Sequence, residues 1–437
     1  MSWFFPSKAF GEYEGFGNGN LEMFKGDPLK ALAREICQNS LDACEDESKP
    51  VEVEFIIHKV KTRNFPGTYQ LKQIIDMCDE FWQNDKNAKI HTFLRDARET
   101  LESTDLNVLR ISDYNTKGLT GAYAEDEMTP WVGLVKASAV SVKNDSKAAG
   151  SYGIGKAAPF VNSSIQTVFY RTLDINDEKA VQGVARLMAF KDESYGDPDP
   201  VRRSVGYYGD GDNNMPFEAL EELDAINYRT EHGTDLFVPG FRIENEWINK
   251  MLGEIIENFL VSLYNGKLVV RIGMAGMTPT VLDKDSISSI IARFRKHVKD
   301  GYDFVIVDTC PSMGALTINA LSAADYVVVT ANPQLLAMKG LQDFLKTVSK
   351  IKSRINDRLQ VAGILLTMCE GRTNLCKTIS EEVRETFEGK LKVFKSTVPS
   401  TVKVGEAVYY GEPLMEYAPE TKACEAYRKL AKEVLAV

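Results

Sequence analysis

The chain reads as α/β throughout, built from two successive units with different patterning. Three observations carry this reading. Residues 27–45, DPLKALAREICQNSLDACE, form an amphipathic helix followed by the alternating strand VEVEFIIHKV (51–60). Strand-like segments then dominate as far as KLVVRIG (267–273). Beyond 286, helices alternate with short continuous apolar runs, the pattern of βαβ units around a buried parallel sheet. The expected organisation is a front domain at 1–272, a junction at 273–285 and a back domain at 286–437.

In order, residues 1–26 are aromatic and glycine-rich, which predicts an ordered N-terminal arm. The helix that follows starts at Asp27-Pro28, a capping side chain followed by proline in the first turn. At about 100° per residue, Glu35, Asn39 and Asp42 fall near one another on its polar side. Leu29, Leu32, Ala33, Ile36, Cys37 and Cys44 occupy the other side. Residues 69–104 predict helix and look like an insertion, and NVLRISDYNTKGL (107–119) a strand running into a turn. KASAVSVKNDSKAAGSYGIGKAAPF (136–160) is a polar, glycine-rich loop. SIQTVFYRTL (164–173) and AVQGVARLMAF (180–190) read as paired strands, 192–216 as a long loop, HGTDLFVPGF (232–241) as a strand and 244–266 as a helix. In the back domain the apolar runs are FVIVD (304–308), YVVVT (326–330), VAGILLT (361–367) and LKVFK (391–395).

At 437 residues there is ample chain for real cores. No stretch approaches a membrane span, and MSWFFPSKAF turns polar too soon for a secretory signal. Seven cysteines without metal-ligand spacing predict reduced thiols and a cytoplasmic location. The net charge of −10 is uneven. Residues 286–437 carry 21 Lys+Arg against 17 Asp+Glu, +4, which leaves −14 for 1–285 and argues against broad nucleic-acid binding there.

The loop Gly150-Ser-Tyr-Gly153-Ile-Gly155-Lys156-Ala157 matches GxxxxGK, but Ala157 stands where a P-loop needs Ser or Thr for magnesium, and no strand leads into it. The other reading is a lid whose amides approach phosphates because glycine permits it. EICQNSLDA on a helix, a strand ending in Asp113 with Gly118 five residues on, GSYGIGK, and Gly233-Thr234 entering a strand together resemble the GHKL (Bergerat-fold) ATPases over 1–272. The resemblance implies a Bergerat-type α/β sandwich, a mixed sheet with helices on one face, that binds ATP and Mg²⁺. Glu35 would be the general base and Asn39 the metal ligand, with Asp42 in the same motif. Asp113 would accept a hydrogen bond from the adenine amino group, beside Gly118. Gly150, Gly153, Gly155 and Lys156 would form the lid, and Thr234 would back the adenine contact. The usual DxGxG is here Asp113-Tyr-Asn-Thr-Lys-Gly118, a departure at the pocket.

DGYDFVIVDTCPSMGALTINALSAADYVVV (300–329), LLTM (365–368) and STVPSTVKVGEAVYYGEPL (396–414) resemble the ParA/MinD partition ATPases over 286–437. That resemblance implies a P-loop-NTPase-like parallel sheet with Asp308 ending its Walker B strand. The family's lysine-rich P-loop strand has no counterpart here, so the back domain is expected to be a partial sheet without its own nucleotide. The uncovered neighbours predict a homo-oligomer or a protein partner over that half-sheet. The leading expectation is a Mg-dependent GHKL-type ATPase whose lid closure controls assembly. The alternatives are a non-catalytic scaffold with degenerate nucleotide folds, a partition-like DNA-associated protein, and an artificial fusion of two unrelated pieces.

Overall fold

The computed structural model describes residues 1–7, 15, 27–124, 128–136, 155–196, 199–210, 214–287, 289–290, 303–309, 314–369 and 374–436. They fall into two compact units, Met1–Ser286 and Ile287–Val437.

In the first unit the elements are β1 (Ser2–Phe4), α1 (Pro28–Asp42), β2 (Val51–Lys61), α2 (Thr68–Trp82), α3 (Ala88–Glu102), β3 (Asp105–Tyr114), α4 (Ala158–Val161), β4 (Thr167–Leu173), β5 (Lys179–Arg186), β6 (Phe190–Lys191), β7 (Val201–Arg202), β8 (Val205–Gly209), α5 (Glu221–Asp224), β9 (Gly233–Pro239), α6 (Trp247–Tyr264), β10 (Leu268–Met274) and β11 (Thr280–Leu282). Nine strands make one mixed sheet in the order β1-β8-β5-β4-β9-β3-β2-β10-β11. All of its pairs are antiparallel except β10 with β2. The arm contributes β1 at one edge. The 192–216 stretch, expected as loop, supplies β8 between β5 and β1, and its Gly206 leaves room for the Phe5 ring. β11, inside the expected junction, folds back on β10.

Alternation along the central strands assigns the two faces of the sheet. Val108, Phe169 and Phe237 join Leu71, Ile75, Phe93 and Leu94 of the inserted helices α2 and α3 in one core. Ile111, Tyr170 and Leu236, odd steps away on the same strands, point to the opposite face and line one cavity with Leu32 and Ile36 of α1. The α/β class stands, and the 68–102 insertion adds a second helical layer to the single layer that the resemblance implies. α1 packs against α6. Asp27 caps α1 by accepting from the Lys30 N–H at 3.3 Å, and Pro28 fills a first-turn position that needs no donor.

The second unit contains α7 (Ala315–Ala323), β12 (Tyr326–Ala331), α8 (Leu335–Arg354), β13 (Gln360–Cys369), α9 (Asn374–Phe387), β14 (Val393–Pro399), α10 (Val402–Tyr410), α11 (Leu414–Tyr417) and α12 (Lys422–Val434). β12, β13 and β14 form a three-stranded parallel sheet. Val329, Ala331, Ile364 and Leu366 pack on Leu341, Ile379 and Val383 on one face. Ala362, Leu365, Phe394 and Val398 pack on Ala426, Leu430 and Val434 on the other.

One expected strand is corrected. Residues 304–308 (FVIVD) are not a strand: among the described residues they pair with no neighbour, and Phe304, Val305, Ile306 and Val307 are exposed, Ile306 by 93%. Asp308, expected at the end of a buried Walker B strand, is exposed with them. A continuous apolar run becomes a parallel strand only where a neighbour satisfies its backbone and elements cover both faces. Among the described residues β12 has one strand neighbour, β13, and its Tyr326 and Val328 side chains are exposed.

Candidate functional site

In the first unit an open cavity lies between α1 and the sheet. From α1 and its C-cap it takes Leu32, Glu35, Ile36, Asn39, Ser40 and Ala43, which recur every three or four residues and so form one continuous stripe. The sheet and its loops supply Ile111, Asp113, Thr116, Gly118, Tyr170, Thr234 and Leu236, and Lys156 and Pro159 come from the segment at α4. The lining is apolar along the walls with a few convergent polar groups, the usual make-up of a small-molecule site.

Asp113 is the most heavily bonded of those groups. Its Oδ1 accepts the Thr234 backbone N–H and the Thr116 hydroxyl, both at 2.7 Å, and its Oδ2 accepts the Ser40 hydroxyl at 3.0 Å. Burial pushes the Asp113 carboxyl up, against Arg229 and these three donors. Gly233, φ +141°, makes the approach possible. A side chain there would stand 2.3 Å from the Asp113 carbonyl oxygen and 2.6 Å from the Arg229 guanidinium. Gly118, φ +64°, is equally constrained: a Cβ would lie 2.8 Å from the Leu173 carbonyl oxygen and from the Asp174 backbone.

The loop after Asp113 is fastened to the end of α1. The Asn115 side chain donates to the carbonyls of Asp46, Lys49 and Pro50, and the Lys117 N–H donates to the Ala43 carbonyl at 2.9 Å. Beneath the pocket floor runs a buried ionic chain. Arg229 Nε and Arg171 Nη2 reach Asp235 at 2.8 and 2.7 Å, and Ser112 also donates to Asp235. Burial alone would raise the Asp235 carboxyl, but the two guanidiniums outweigh it and hold it at about 2.

The structure brings Glu35, Asn39, Asp113, Gly118, Lys156 and Thr234 to one cavity. Glu35 stands 3.6 Å from Arg34. Lys156 donates to the Gly133 carbonyl, and desolvation followed by the nearby Arg186 charge lowers its ammonium pKa. Asp42 lies off the lining stripe and accepts from Gln38 at 2.8 Å. Gly155 opens the short turn ahead of α4, while Gly150 and Gly153 lie outside the described residues. Sequence reasoning missed Ser40, Thr116 and Arg229. Thr116 had a local signal, a hydroxyl three residues after an aspartate. Arg229 had none, because the Asp113 carbonyl that it holds lies on β3, far away in sequence.

Comparison with known proteins gives matches of limited span. Residues 243–361 match the family described as AAA domain, a range that crosses from α6 in the first unit to β13 in the second. The sporulation initiation inhibitor protein Soj of Bacillus subtilis (strain 168) is 41% identical over 146 residues, 33% of this chain and 57% of that protein. The chromosome-partitioning ATPase Soj of Thermus thermophilus is 39% identical over 137 residues, 31% of this chain and 54% of that protein. The chain thus spans a little over half the length of these relatives. Among solved structures, the Pyrococcus furiosus cell division ATPase MinD is 18% identical with a TM-score of 0.28, covering 46% of this chain and 65% of that one. The ATPase region of Saccharomyces cerevisiae topoisomerase II is 9% identical with a TM-score of 0.30, covering 68% and 61%. No described helix is long and apolar enough to cross a membrane.

Proposed function

We propose that the first unit binds ATP with Mg²⁺ in the cavity under α1 and hydrolyses it as a GHKL-type ATPase. The observation that carries this reading is Asp113: a carboxylate held by three donors at the wall of an apolar cavity that Gly118 also lines. Such a carboxylate can accept from an exocyclic amino group. Asn39 and Glu35, one turn apart on α1, face the same cavity. The Asn39 amide oxygen is a hard donor of the kind Mg²⁺ takes alongside phosphate oxygens and water, so the residue fits that ion. Asn39 would hold the metal, which would neutralise phosphate charge. Glu35 would orient a water and take its proton, and Lys156 would offer positive charge from the opposite wall.

Equilibrium titration of ATP with Mg²⁺ into the full chain and its Asp113→Ala variant tests the reading. Tight binding by the parent and loss in the variant supports it; equal binding, or none in either, rejects it.

A second reading concerns the second unit. The Soj relatives include a chromosome-partitioning ATPase, and the 286–437 segment carries +4. The exposed 304–307 side chains and the exposed Tyr326 and Val328 of β12 favour an assembly role that needs a homo-oligomer or protein partner. DNA association belongs to the same reading. Salt-dependent DNA binding by the full chain, lost when basic residues of 286–437 are neutralised, would support it.

A further inference from the structure

We propose that Arg229 is a positioning residue that sets which purine edge the cavity accepts, by clamping the ends of β3 and β9 on either side of Asp113. This deepens the reading of the cavity as an adenine-nucleotide site and rests on it.

The geometry is specific. The β3–β9 ladder ends at the pair Ser112 and Asp235. One register step further, Asp113 and Thr234 do not complete it backbone to backbone. The Thr234 N–H goes to the Asp113 side chain instead, and the Asp113 carbonyl takes Arg229 Nη2 at 2.9 Å. The same Nη2 donates to the Thr234 carbonyl at 3.0 Å and to Asp235 Oδ1 at 2.8 Å, while Nη1 donates to the Glu231 carbonyl at 3.0 Å. One guanidinium therefore closes the frayed ladder end and fixes the amide that aims Asp113. It lies over the Tyr114 ring, 4.9 Å from the centroid, with its side chain 3% exposed. It does not line the cavity, so it acts through Asp113 rather than on a ligand.

The charge contributes as well as the shape. Asp113 is desolvated, and its neighbours across the elements around it are Ser40 and Glu35 from α1, Thr116 from its own loop, Asp235 and Thr234 from β9, and Lys156 across the cavity. Arg229 is the nearest cation acting on it, opposing the burial. An ionised Asp113 only accepts, and so pairs with the amino group at position six of adenine. A protonated Asp113 can donate to the carbonyl that guanine carries there. Asp235 retains Arg171 when Arg229 is altered, so the buried acid keeps one cation.

The test uses the full chain and its Arg229→Met and Arg229→Lys variants, with dissociation constants for ADP and GDP at pH 6 and pH 8 and a melting curve for each. The parent should prefer ADP by the same ratio at both pH values. Arg229→Met should lose roughly tenfold or more of that preference, the size of a lost hydrogen bond to a charged group, and lose more at pH 6. Arg229→Lys should restore a pH-independent preference. Should the Met variant not fold, Arg229→Gln, which keeps an N–H donor without the charge, carries the same comparison. If the folded variants lose affinity for both nucleotides equally, or keep the parent's ADP-to-GDP ratio at both pH values, the positioning role is overturned. If the parent binds neither nucleotide, or Asp113→Ala binds like the parent, it is the nucleotide reading beneath it that fails.

Discussion

The backbone N–H of Thr234 donates to Oδ1 of Asp113 at 2.7 Å, one step past the last regular pair of the β3–β9 ladder. A bond that would ordinarily join two backbones here orients a side chain. Replacing Asp113 by Ala leaves that amide, the Thr116 hydroxyl and the Ser40 hydroxyl without their acceptor. ATP affinity should fall roughly tenfold to a hundredfold, as for a lost charged hydrogen bond. Asp113→Asn, which keeps the shape and one acceptor oxygen, should fall less. Calorimetric titration of the three proteins checks the order.

Glu35 faces the same cavity from α1. As the general base, its replacement by Ala should reduce turnover by about 10²–10⁴-fold while ATP binding stays within a factor of a few. Steady-state phosphate release beside a binding curve separates the two. Unchanged turnover would remove Glu35 from that role.

Gly233→Ala places a Cβ against the Asp113 carbonyl and forces φ +141° on an L-residue. A loss of roughly 1–3 kcal/mol is expected from the strained backbone, together with weaker ATP binding. Urea unfolding, corrected for any change in slope, measures the first.

His232 joins three segments at the rim of this region. Its ring nitrogens meet Glu45 and Asp177, each at 3.1 Å. The hydrogen bond to Asp177 and then the one to Glu45 raise its pKa, while desolvation opposes them. A raised folded value means the stabilisation is fully present below the ordinary imidazole value of about 6.5 and fades as pH rises through the folded one. The His232→Gln variant should therefore melt below the parent at pH 6 and close to it at pH 9. The pairs are half-open to solvent, so the gap should be small and shrink with salt. A gap that widens with pH contradicts the assignment.

In the second unit, Ile306 is exposed and Ile364 is fully buried in the sheet core. Ile306→Lys should change stability by no more than about 0.5 kcal/mol, the surface range. Ile364→Ala should cost about 2–5 kcal/mol. A large loss at Ile306 in thermal unfolding would mean that 304–308 is buried in solution, by a partner or a second copy.

Much of the fold was legible because its signals are local. The alternation in 51–60 and in 164–173, the capped start at Asp27-Pro28 and the helical period of 244–266 each depend on neighbours in sequence. The candidate site was partly legible for the same reason. Glu35 and Asn39 share a helix face by spacing alone, and Gly118 and Gly233 mark positions where the backbone turns. FVIVD misled because its apolar run is as consistent with an unpartnered segment as with a buried strand, and only the neighbours decide. The short β8 was lost in a stretch dominated by Gly, Pro, Asp and Asn, where pairing with β5 and β1 outweighs weak propensity.

By itself the sequence determined the class of the strongly patterned elements and the polar residues that share α1, since these follow from periodicity and turn chemistry along the chain. Only the tertiary structure decided that Ser40, Thr116 and Thr234 converge on Asp113, that Arg229 fastens the ladder end behind it, and that Asp42 turns away. Ser40, Arg229 and Thr234 each reach Asp113 from more than seventy positions away in the chain. A hydrogen bond across that distance leaves no periodic trace, because each partner answers to its own strand or helix until packing brings them together.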